Sequence, residues 1–507
     1  MRSLKIAIGG VLTSAALFGG AAQALPPSDY DASVLNVYYG GATATDNILE
    51  NNFLTTTGGV CAVNSIDIYR VQVANRNNRV VFCTVTSAQV PGFPAGGTKV
   101  AFHKESIGGS SNGVVPIALQ TNLQFFNMAS AGSCTDNGLK NTGSASLREY
   151  REWINCPDTT VQQIPSGGIS DTEPNLSFPT LTAPQIATLN STPGLAIVFG
   201  VPVTLKAYRA LQTAQGLAPD DAQANVPSLT RSQVRGLFTQ RISQWSQLRL
   251  SNNVPITTGA FPFNTATGVN DDKVFICRRV NSSGTQASFE SYWLQQRCDA
   301  KFGATGAPVF AGGQGASMDV GTTPTAQGFA TRVTPNEGSG DVRTCLNQHD
   351  ANGTWAIGTL STEVTAAQLG AFRMVKVDGA LPNLASVANG DYDFFTENTL
   401  NRRAPGQVGA PSGLALTLLQ YLETDIGKPA VISLADTPFQ GRPWGDGGVL
   451  TLASAAGVTP NAPAQVDGAV GAGTMRANPV NTQSRSLISN KVNNCNPPVM
   501  LRPSPTP

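Results

Sequence analysis

A strand, a tight loop of small residues and the start of a helix follow one another just past the middle of the chain. The apolar residues 274–276 predict a buried strand, and Phe289 and Trp293 recur at helical spacing further on. The intervening loop, residues 279–285, combines an arginine, three hydroxyl side chains and a glycine. Unpaired N–H groups at a helix start, with hydroxyls and arginine, can hold a tetrahedral oxyanion. An ordinary N-cap has the same serine and threonine, so this loop alone does not identify an anion site.

The same order of strand, small-residue loop and helix recurs earlier in the chain, in residues 34–45 and again in residues 99–114. Residues 195–205 are a long apolar run, which predicts a buried strand that crosses between domains. Thr230, with Gln233 three residues later, predicts the capped start of a helix. Alternating strands and helices together predict α/β layers.

The composition limits the classes of partner and chemistry. A net charge of +1 with 13% charged residues argues against nucleic acid as a partner. The two histidines, His103 and His349, stand far apart, which disfavours a Ser-His-Asp triad or a histidine metal site, and the chain has no GxxxxGK loop. We predict that His103, Lys104 and Glu105 are solvated, with Lys104 adding positive potential at a cleft mouth. No catalytic residue, metal or cofactor is predicted.

The first 24 residues have the pattern of a secretory signal peptide. A basic start is followed by apolar residues 6–18 and by Ala-Gln-Ala, with cleavage predicted after Ala24. No cysteine follows the predicted cut directly, which argues against a lipoprotein anchor, and no later apolar run is long enough to span a bilayer. We therefore expect an exported protein, periplasmic or extracellular, without membrane insertion.

Eight cysteines without any CxxC spacing fit an oxidising compartment and predict disulfides. Proximity in the sequence suggests that Cys61 pairs with Cys83 and that Cys134 pairs with Cys156. The partners of the other four are left open. These four are Cys277, Cys298, Cys345 and Cys495.

The order of the loop motifs resembles that of the periplasmic phosphate-binding proteins of ABC transporters, a family with the type II periplasmic binding protein fold. That family has, in order, a Gly-Ala-Thr loop, a Gly-Ser-Ser-Gly-Gly-Val loop, a Gly-Ala-Ser-Asp segment, a Lys-Ile-x-x-Trp turn and an Arg-x-Asp-Gly-Ser-Gly-Thr loop. The counterparts here are residues 41–44, 109–114, 168–171, 241–245 and 279–285. Residues 337–338, 356–358 and 390–392 resemble later segments of the family. The resemblance covers most of residues 34–395.

The resemblance implies an oxyanion site built from hydroxyls, backbone N–H groups and one arginine. The residues that fall on the family's ligand contacts are Thr43, Ala44, Ser110, Asp171, Arg279, Ser283, Gly284 and Thr285. An ionised Asp171 can only accept a hydrogen bond, so it would favour phosphate or arsenate, which keep a proton, over sulfate. Asn281 stands where the family has an aspartate, and this would leave the charge of Arg279 less compensated.

The resemblance also implies an α/β fold with two lobes, each a mixed sheet flanked by helices, and a hinge of two crossover strands near residues 200 and 375. Residues 25–200 would begin lobe I, residues 201–374 would form lobe II, and residues 375–507 would return to lobe I and add a C-terminal extension. The connection between Val114 and Asp171 is longer than in the family. It would be either a disulfide-stapled surface lobe or a cover over the cleft.

The implied function is capture of inorganic phosphate or a related oxyanion by a monomer, for ABC-type uptake with a permease as partner. No enzyme activity is implied. Two alternatives stay open: a secreted phosphate scavenger, sensor or surface protein without a transporter, and a phosphatase-like phosphoester hydrolase. A phosphatase assay separates the hydrolase from a binder, and neighbouring permease genes would argue against the scavenger.

Overall fold

The computed structural model describes most of the chain between residues 25 and 500. The described residues are 25–73, 76–140, 146–250, 256, 272–294, 297–298, 309–310, 313–314, 324–325, 328–329, 333–429, 431–432, 442–452, 480–486 and 492–500. The predicted signal peptide, residues 1–24, and the last residues, 501–507, lie outside this part of the chain.

Helices and strands alternate along most of the described chain. The helices are α1 Asp46–Leu54, α2 Val115–Leu119, α3 Ala183–Ile186, α4 Leu205–Ala214, α5 Arg231–Phe238, α6 Gly284–Leu294, α7 Ser339–Ala351, α8 Leu384–Asn389 and α9 Gly413–Asp425. The strands are β1 Leu35–Gly41, β2 Asp67–Val73, β3 Arg76–Val85, β4 Thr98–Glu105, β5 Leu123–Phe126, β6 Thr135–Lys140, β7 Tyr150–Ile154, β8 Thr160–Gln163, β9 Gly167–Ser170, β10 Leu189–Thr204, β11 Ser228–Leu229, β12 Phe275–Arg279, β13 Val309–Phe310, β14 Gly313–Gln314, β15 Pro324–Thr325, β16 Gly328–Phe329, β17 Val333–Asn336, β18 Ala356–Gly358, β19 Leu360–Ser361, β20 Phe372–Val377, β21 Phe395–Arg403, β22 Val449–Leu452, β23 Val480–Asn481, β24 Gln483–Ser484 and β25 Val499–Met500.

Two mixed sheets contain most of these strands. The first has the order β6-β7-β2-β3-β4-β1-β9-β21-β10-β22-β23 and forms the basis of what we call lobe I. The second has the order β17-β12-β18-β10-β20-β11 and forms the basis of lobe II. The predicted α/β fold with mixed sheets flanked by helices is therefore confirmed.

Strand β10 belongs to both sheets. Its residues 189–198 pair with β21 in lobe I, and its residues 201–204 pair with β20 in lobe II. The chain passes back from β20 to β21 through a connection that contains α8. The first predicted crossover, near residue 200, is thus a single shared strand, whereas the return uses separate strands in the two sheets.

The segment between Val114 and Asp171 extends lobe I at the edge of its sheet. Strands β6 and β7 pair with each other, and β7 adds to β2, while β5 and β8 form a separate two-stranded sheet. A disulfide between Cys134 and Cys156 joins the start of β6 to the end of β7. This arrangement corresponds to the first of the two predicted alternatives, a disulfide-stapled surface lobe.

Four disulfides link the eight cysteines. The predicted pairs Cys61–Cys83 and Cys134–Cys156 are confirmed. The two pairs left open by the sequence are Cys277–Cys345, which joins β12 to α7, and Cys298–Cys495. The last one joins the residues after α6 to a C-terminal segment, and its loop closes over 197 residues of sequence.

The core is apolar and aromatic in both lobes. Trp245 and Trp355 are fully buried and pack edge to face, with their ring centroids 5.9 Å apart. The Trp245 indole N–H also donates a hydrogen bond to the Trp355 backbone carbonyl. An edge-to-face aromatic pair is favourable beyond its buried area because the ring edge and ring face carry opposite partial charges. None of the helices that the structure describes is both long and apolar enough to cross a membrane.

Candidate anion-binding site

The predicted site residues lie on loops that follow neighbouring parallel strands. In lobe I, β1, β4 and β9 are parallel, so the loops after them, with Thr43, Ser110 and Asp171, meet at one edge of the sheet. In lobe II, β12, β17 and β18 are parallel, so their following loops also share an edge. Ligands of open α/β sheets bind at such carboxyl edges because the loops there converge.

The two lobes touch through these loops. The backbone N–H of Ser111 donates to the Ser282 carbonyl at 3.0 Å. A Cβ on Gly284 would lie only 2.0 Å from Ser110 Oγ and 2.6 Å from Asp171 Cβ, both in lobe I. Glycine at position 284 is therefore required for the approach of α6 to lobe I.

Asp171 is the buried acidic member of this contact, with 3% of its surface exposed. Its backbone N–H donates to Ser110 Oγ at 2.9 Å, and the Thr285 hydroxyl donates to its Oδ2 at 3.4 Å. Its other oxygen, Oδ1, is buried and has no hydrogen-bond partner among the described residues. Burial raises the pKa of Asp171 to about 6, against the opposing positive charge of Arg279.

Arg279 ends β12 and is also buried. Its guanidinium donates to the carbonyls of Asn336 and Glu337 at 3.3 and 2.6 Å and to Ser339 Oγ at 3.2 Å. Burial lowers the pKa of Arg279, and Asp171 is the largest of the negative charges that oppose this shift. The arginine is thus held by neutral acceptors of lobe II and keeps its positive charge available to the interlobe contact.

Asn281, the position that departs from the family pattern, does not face Arg279. Its Oδ1 accepts a hydrogen bond from Arg278 Nη1 at 2.7 Å. The neutral acceptors around Arg279 come instead from the end of β17, the Glu337-Gly338 loop and the start of α7. Asn281 therefore acts on Arg278 and not on Arg279.

The eight predicted ligand residues are not all brought together. Ser110, Asp171, Gly284 and Thr285 are in direct contact. Ser283 packs against Gly109, the residue before Ser110: a Cβ added to Gly109 would lie 3.0 Å from the Cα of Ser283. Thr43 instead lines a neighbouring cavity, and the side chain of Ala44 packs in the hydrophobic core. For Ala44, only its backbone N–H could serve an anion.

Lys104 corrects one prediction from the sequence. It was expected to be solvated, but only 2% of its surface is exposed. Its Nζ donates to the Gly41 carbonyl and to Ser106 Oγ, both at 2.9 Å, and lies 3.3 Å from Asp46 Oδ1. Its neighbours His103 and Glu105 are buried as well, and burial lowers the pKa of His103 to about 3. Lys104 therefore ties β4 to the β1–α1 loop that carries Thr43.

A cavity of about 830 Å³ lies between the lobes beside this contact. Lobe I contributes Thr43 and Arg79 to its wall, and lobe II contributes Ser339, Arg343 and Glu363. Sequence reasoning did not select Arg343 or Glu363. Both residues lie in segments that follow strands of lobe II, so they could have been predicted as wall residues once the strand order was known.

No protein-family model and no curated protein sequence matches this chain. Solved structures that are similar include a phosphate-binding protein from Stenotrophomonas maltophilia, at 12% identity over 82% of this chain and 87% of that chain, with a TM-score of 0.35. PstS from Borrelia burgdorferi is 11% identical over 79% of this chain and 97% of that chain, with a TM-score of 0.32. An ABC-type phosphate transport receptor from Vibrio cholerae is 16% identical over 53% of this chain and 78% of that chain, with a TM-score of 0.30. These identities and TM-scores are too low to transfer a ligand to this chain.

Proposed function

We propose that the protein binds phosphate, or a related oxyanion that keeps a proton, between its two lobes. The observation that carries this proposal is the buried Oδ1 of Asp171, which has no hydrogen-bond partner in the described part of the chain and lies beside the first turn of α6 and the charge of Arg279. A buried acceptor without a donor is costly, so a ligand that brings its own proton is favoured there. Near neutral pH phosphate has such a proton, whereas sulfate has none. The other oxygens of the anion would take donors from the start of α6 and from the hydroxyls of Ser283 and Thr285.

We place this binding outside the cytoplasm, in the periplasm or the extracellular space. Four disulfides support an oxidising compartment. On this proposal the protein is a monomeric receptor that delivers its anion to an ABC-type permease and performs no chemistry on it.

A second candidate function, scavenging or sensing of phosphate without a transporter, is favoured by one observation. The C-terminal segment is anchored to lobe I, because Asn494 bonds to both carboxylate oxygens of Glu173 and to the Glu397 carbonyl. The disulfide Cys298–Cys495 joins the same segment to the residues after α6 of lobe II. A covalent tie between lobes limits their separation, which suits a protein that retains its ligand.

Isothermal titration calorimetry at pH 7.5 with phosphate, arsenate and sulfate tests the first candidate. We expect phosphate and arsenate to bind the wild-type protein about 100-fold more tightly than sulfate, since a hydrogen bond to a charged partner is at stake. In Asp171→Asn the amide can donate to sulfate, so most of this preference should disappear, whereas the exposed Asp391→Asn variant should retain it. Equal affinities for phosphate and sulfate in the wild type would contradict the role of Asp171.

Hydrolysis of p-nitrophenyl phosphate by the same preparation would contradict a function limited to binding. If none of the three anions binds the wild type, the proposed site is wrong.

A further inference from the structure

The interlobe cavity is much larger than one oxyanion requires. Its volume of about 830 Å³ falls in the range of roughly 300–1,000 Å³ typical of pockets for small organic molecules. Ser110 and Thr285, which hydrogen-bond Asp171, do not line the cavity. The cavity therefore lies beside the proposed anion site and is additional to it.

The cavity lies next to the residues that hold Arg279, which is itself buried behind them. The three groups that accept hydrogen bonds from the guanidinium belong to Asn336, Glu337 and Ser339, and all three residues line the cavity. Thr43, on the opposite lobe, lines it as well. A ligand whose phosphate is held at the start of α6 could therefore extend past Arg279 into this space.

Glu363 connects the cavity to Asp171. It lines the cavity, and its Oε1 accepts a hydrogen bond from the Ser361 hydroxyl at 2.8 Å. Its Oε2 is buried and has no partner among the described residues. Burial raises the pKa of Glu363 to about 7, and the negative charge of Asp171 contributes to this rise, whereas the Ser361 hydroxyl and the charge of Arg343 oppose it. Like Oδ1 of Asp171, Oε2 of Glu363 needs a hydrogen-bond donor.

The rest of the wall mixes polar groups with a few apolar side chains, namely Ile107, Leu360 and Val364. It offers amide, hydroxyl and guanidinium groups from both lobes, including Asn47, Asn77 and Arg79 of lobe I and Thr344 and Gln348 of lobe II. Burying an apolar group against these side chains would leave their donors and acceptors without partners, whereas hydroxyl groups could satisfy both kinds.

We propose that this cavity is a subsite for the organic part of a polyol phosphate monoester, with a ligand hydroxyl donating to Glu363 Oε2. This inference rests on the proposed function, because it places the phosphate of the monoester at Asp171, Arg279 and the start of α6. It assigns Glu363 a role in selecting the substituent, while Asp171 selects the oxyanion.

The test uses calorimetric titration of the full protein with inorganic phosphate, glycerol 3-phosphate and ethyl phosphate. In the wild type we expect glycerol 3-phosphate to bind about ten-fold or more tightly than ethyl phosphate, which has no hydroxyl for Glu363. In the Glu363→Met variant, which keeps the length of the side chain and removes both oxygens, this ratio should fall toward one. Thr344→Trp introduces an indole from an exposed position of α7 on the cavity wall, and it should abolish binding of both monoesters while inorganic phosphate still binds.

The outcomes separate the inference from the proposed function. If inorganic phosphate binds but neither monoester binds or competes with it, the subsite is wrong and the phosphate site stands. The same conclusion follows if Thr344→Trp leaves monoester binding unchanged. If no ligand of the three binds the wild type, the phosphate site itself is wrong and the subsite with it.

Discussion

Replacing Asp171 by asparagine should make the stability of the ligand-free protein less dependent on pH. The folded-state pKa of Asp171 is about 6, compared with an ordinary value of 3.8, because burial disfavours the charged form. Protonated Asp171 therefore stabilises the fold relative to an unshifted carboxyl below about pH 4, and this contribution is lost as the pH rises through about 6. A shift of about two pKa units corresponds to a total of about 3 kcal/mol. About 2 kcal/mol of this total falls between pH 4.5 and pH 7.5.

Chemical denaturation of the disulfide-intact protein at these two pH values measures the effect. The quantity to compare is the difference in unfolding free energy between Asp171→Asn and wild type. It should shift by about 2 kcal/mol in favour of the variant as the pH rises from 4.5 to 7.5. A new amide N–H₂ in place of the unpartnered Oδ1 adds a cost of about 1–3 kcal/mol, but this cost is the same at both pH values and cancels in the comparison.

The exposed Asp391→Asn variant controls for the removal of one negative charge from the protein. Linkage predicts that the difference in unfolding free energy between Asp171→Asn and wild type changes by about 2 kcal/mol between the two pH values. A change smaller than about 0.5 kcal/mol would refute a raised pKa of Asp171 in the folded protein. Asp171 would then be solvated in the ligand-free protein, and the contact that Ser110 and Gly284 make across the lobes would not persist in solution.

Three further predictions concern the contacts around the site. Gly284→Ala would place a carbon 2.0 Å from an oxygen of the opposite lobe, so calorimetry should show that its affinity for phosphate falls by about 100-fold or more. In Gly340→Ala the added carbon meets its nearest atom at 3.6 Å, so this control should bind phosphate like the wild type. Equal phosphate affinities for Gly284→Ala and the wild type would contradict the closed contact. Lys104→Met breaks a buried ion pair and should lower the unfolding free energy by about 3–5 kcal/mol in chemical denaturation; a loss below about 1 kcal/mol, the size measured for exposed pairs, would mean that Lys104 is solvated after all. Replacing Cys298 and Cys495 together by serine should increase the rate of phosphate release in stopped-flow measurements, because the covalent tie between the lobes is gone; an unchanged rate would argue against ligand retention by this disulfide.

Short-range signals in the sequence predicted the local structure well. Thr230 caps α5 through a hydrogen bond to the Gln233 N–H at 3.1 Å, as the capping-box pattern predicted. The strand, loop and helix start around Arg279 appear as β12 and α6. The disulfides Cys61–Cys83 and Cys134–Cys156 could be guessed because each closes a loop of only 22 residues. In these cases the interacting groups are neighbours along the chain, so local preference and tertiary structure favour the same conformation.

Contacts between distant segments could not be predicted in this way. Lys104 sits in a motif of charged residues that is typical of a surface, yet it is buried because β4 lies between β1 and β3 in the sheet and because Asp46 of α1 is there to pair with it. Glu363 has no recognisable motif around it, and it comes to line the cavity with Thr43 and Arg79 only when the two lobes meet. The pairing of Cys298 with Cys495 spans 197 residues for the same reason.

From the sequence alone we could predict the α/β class, the loops that present hydroxyls and N–H groups at helix starts and, through the family resemblance, eight candidate residues that include Ser110, Asp171, Gly284 and Thr285. The folded chain shows in addition that these last four residues meet across two lobes, that Oδ1 of Asp171 has no partner among the described residues, and that a large cavity lies beside them. The physical reason is that hydrogen bonding and periodicity act over a few residues, whereas burial and cavity shape depend on how β10 and the β20–β21 return bring two sheets together.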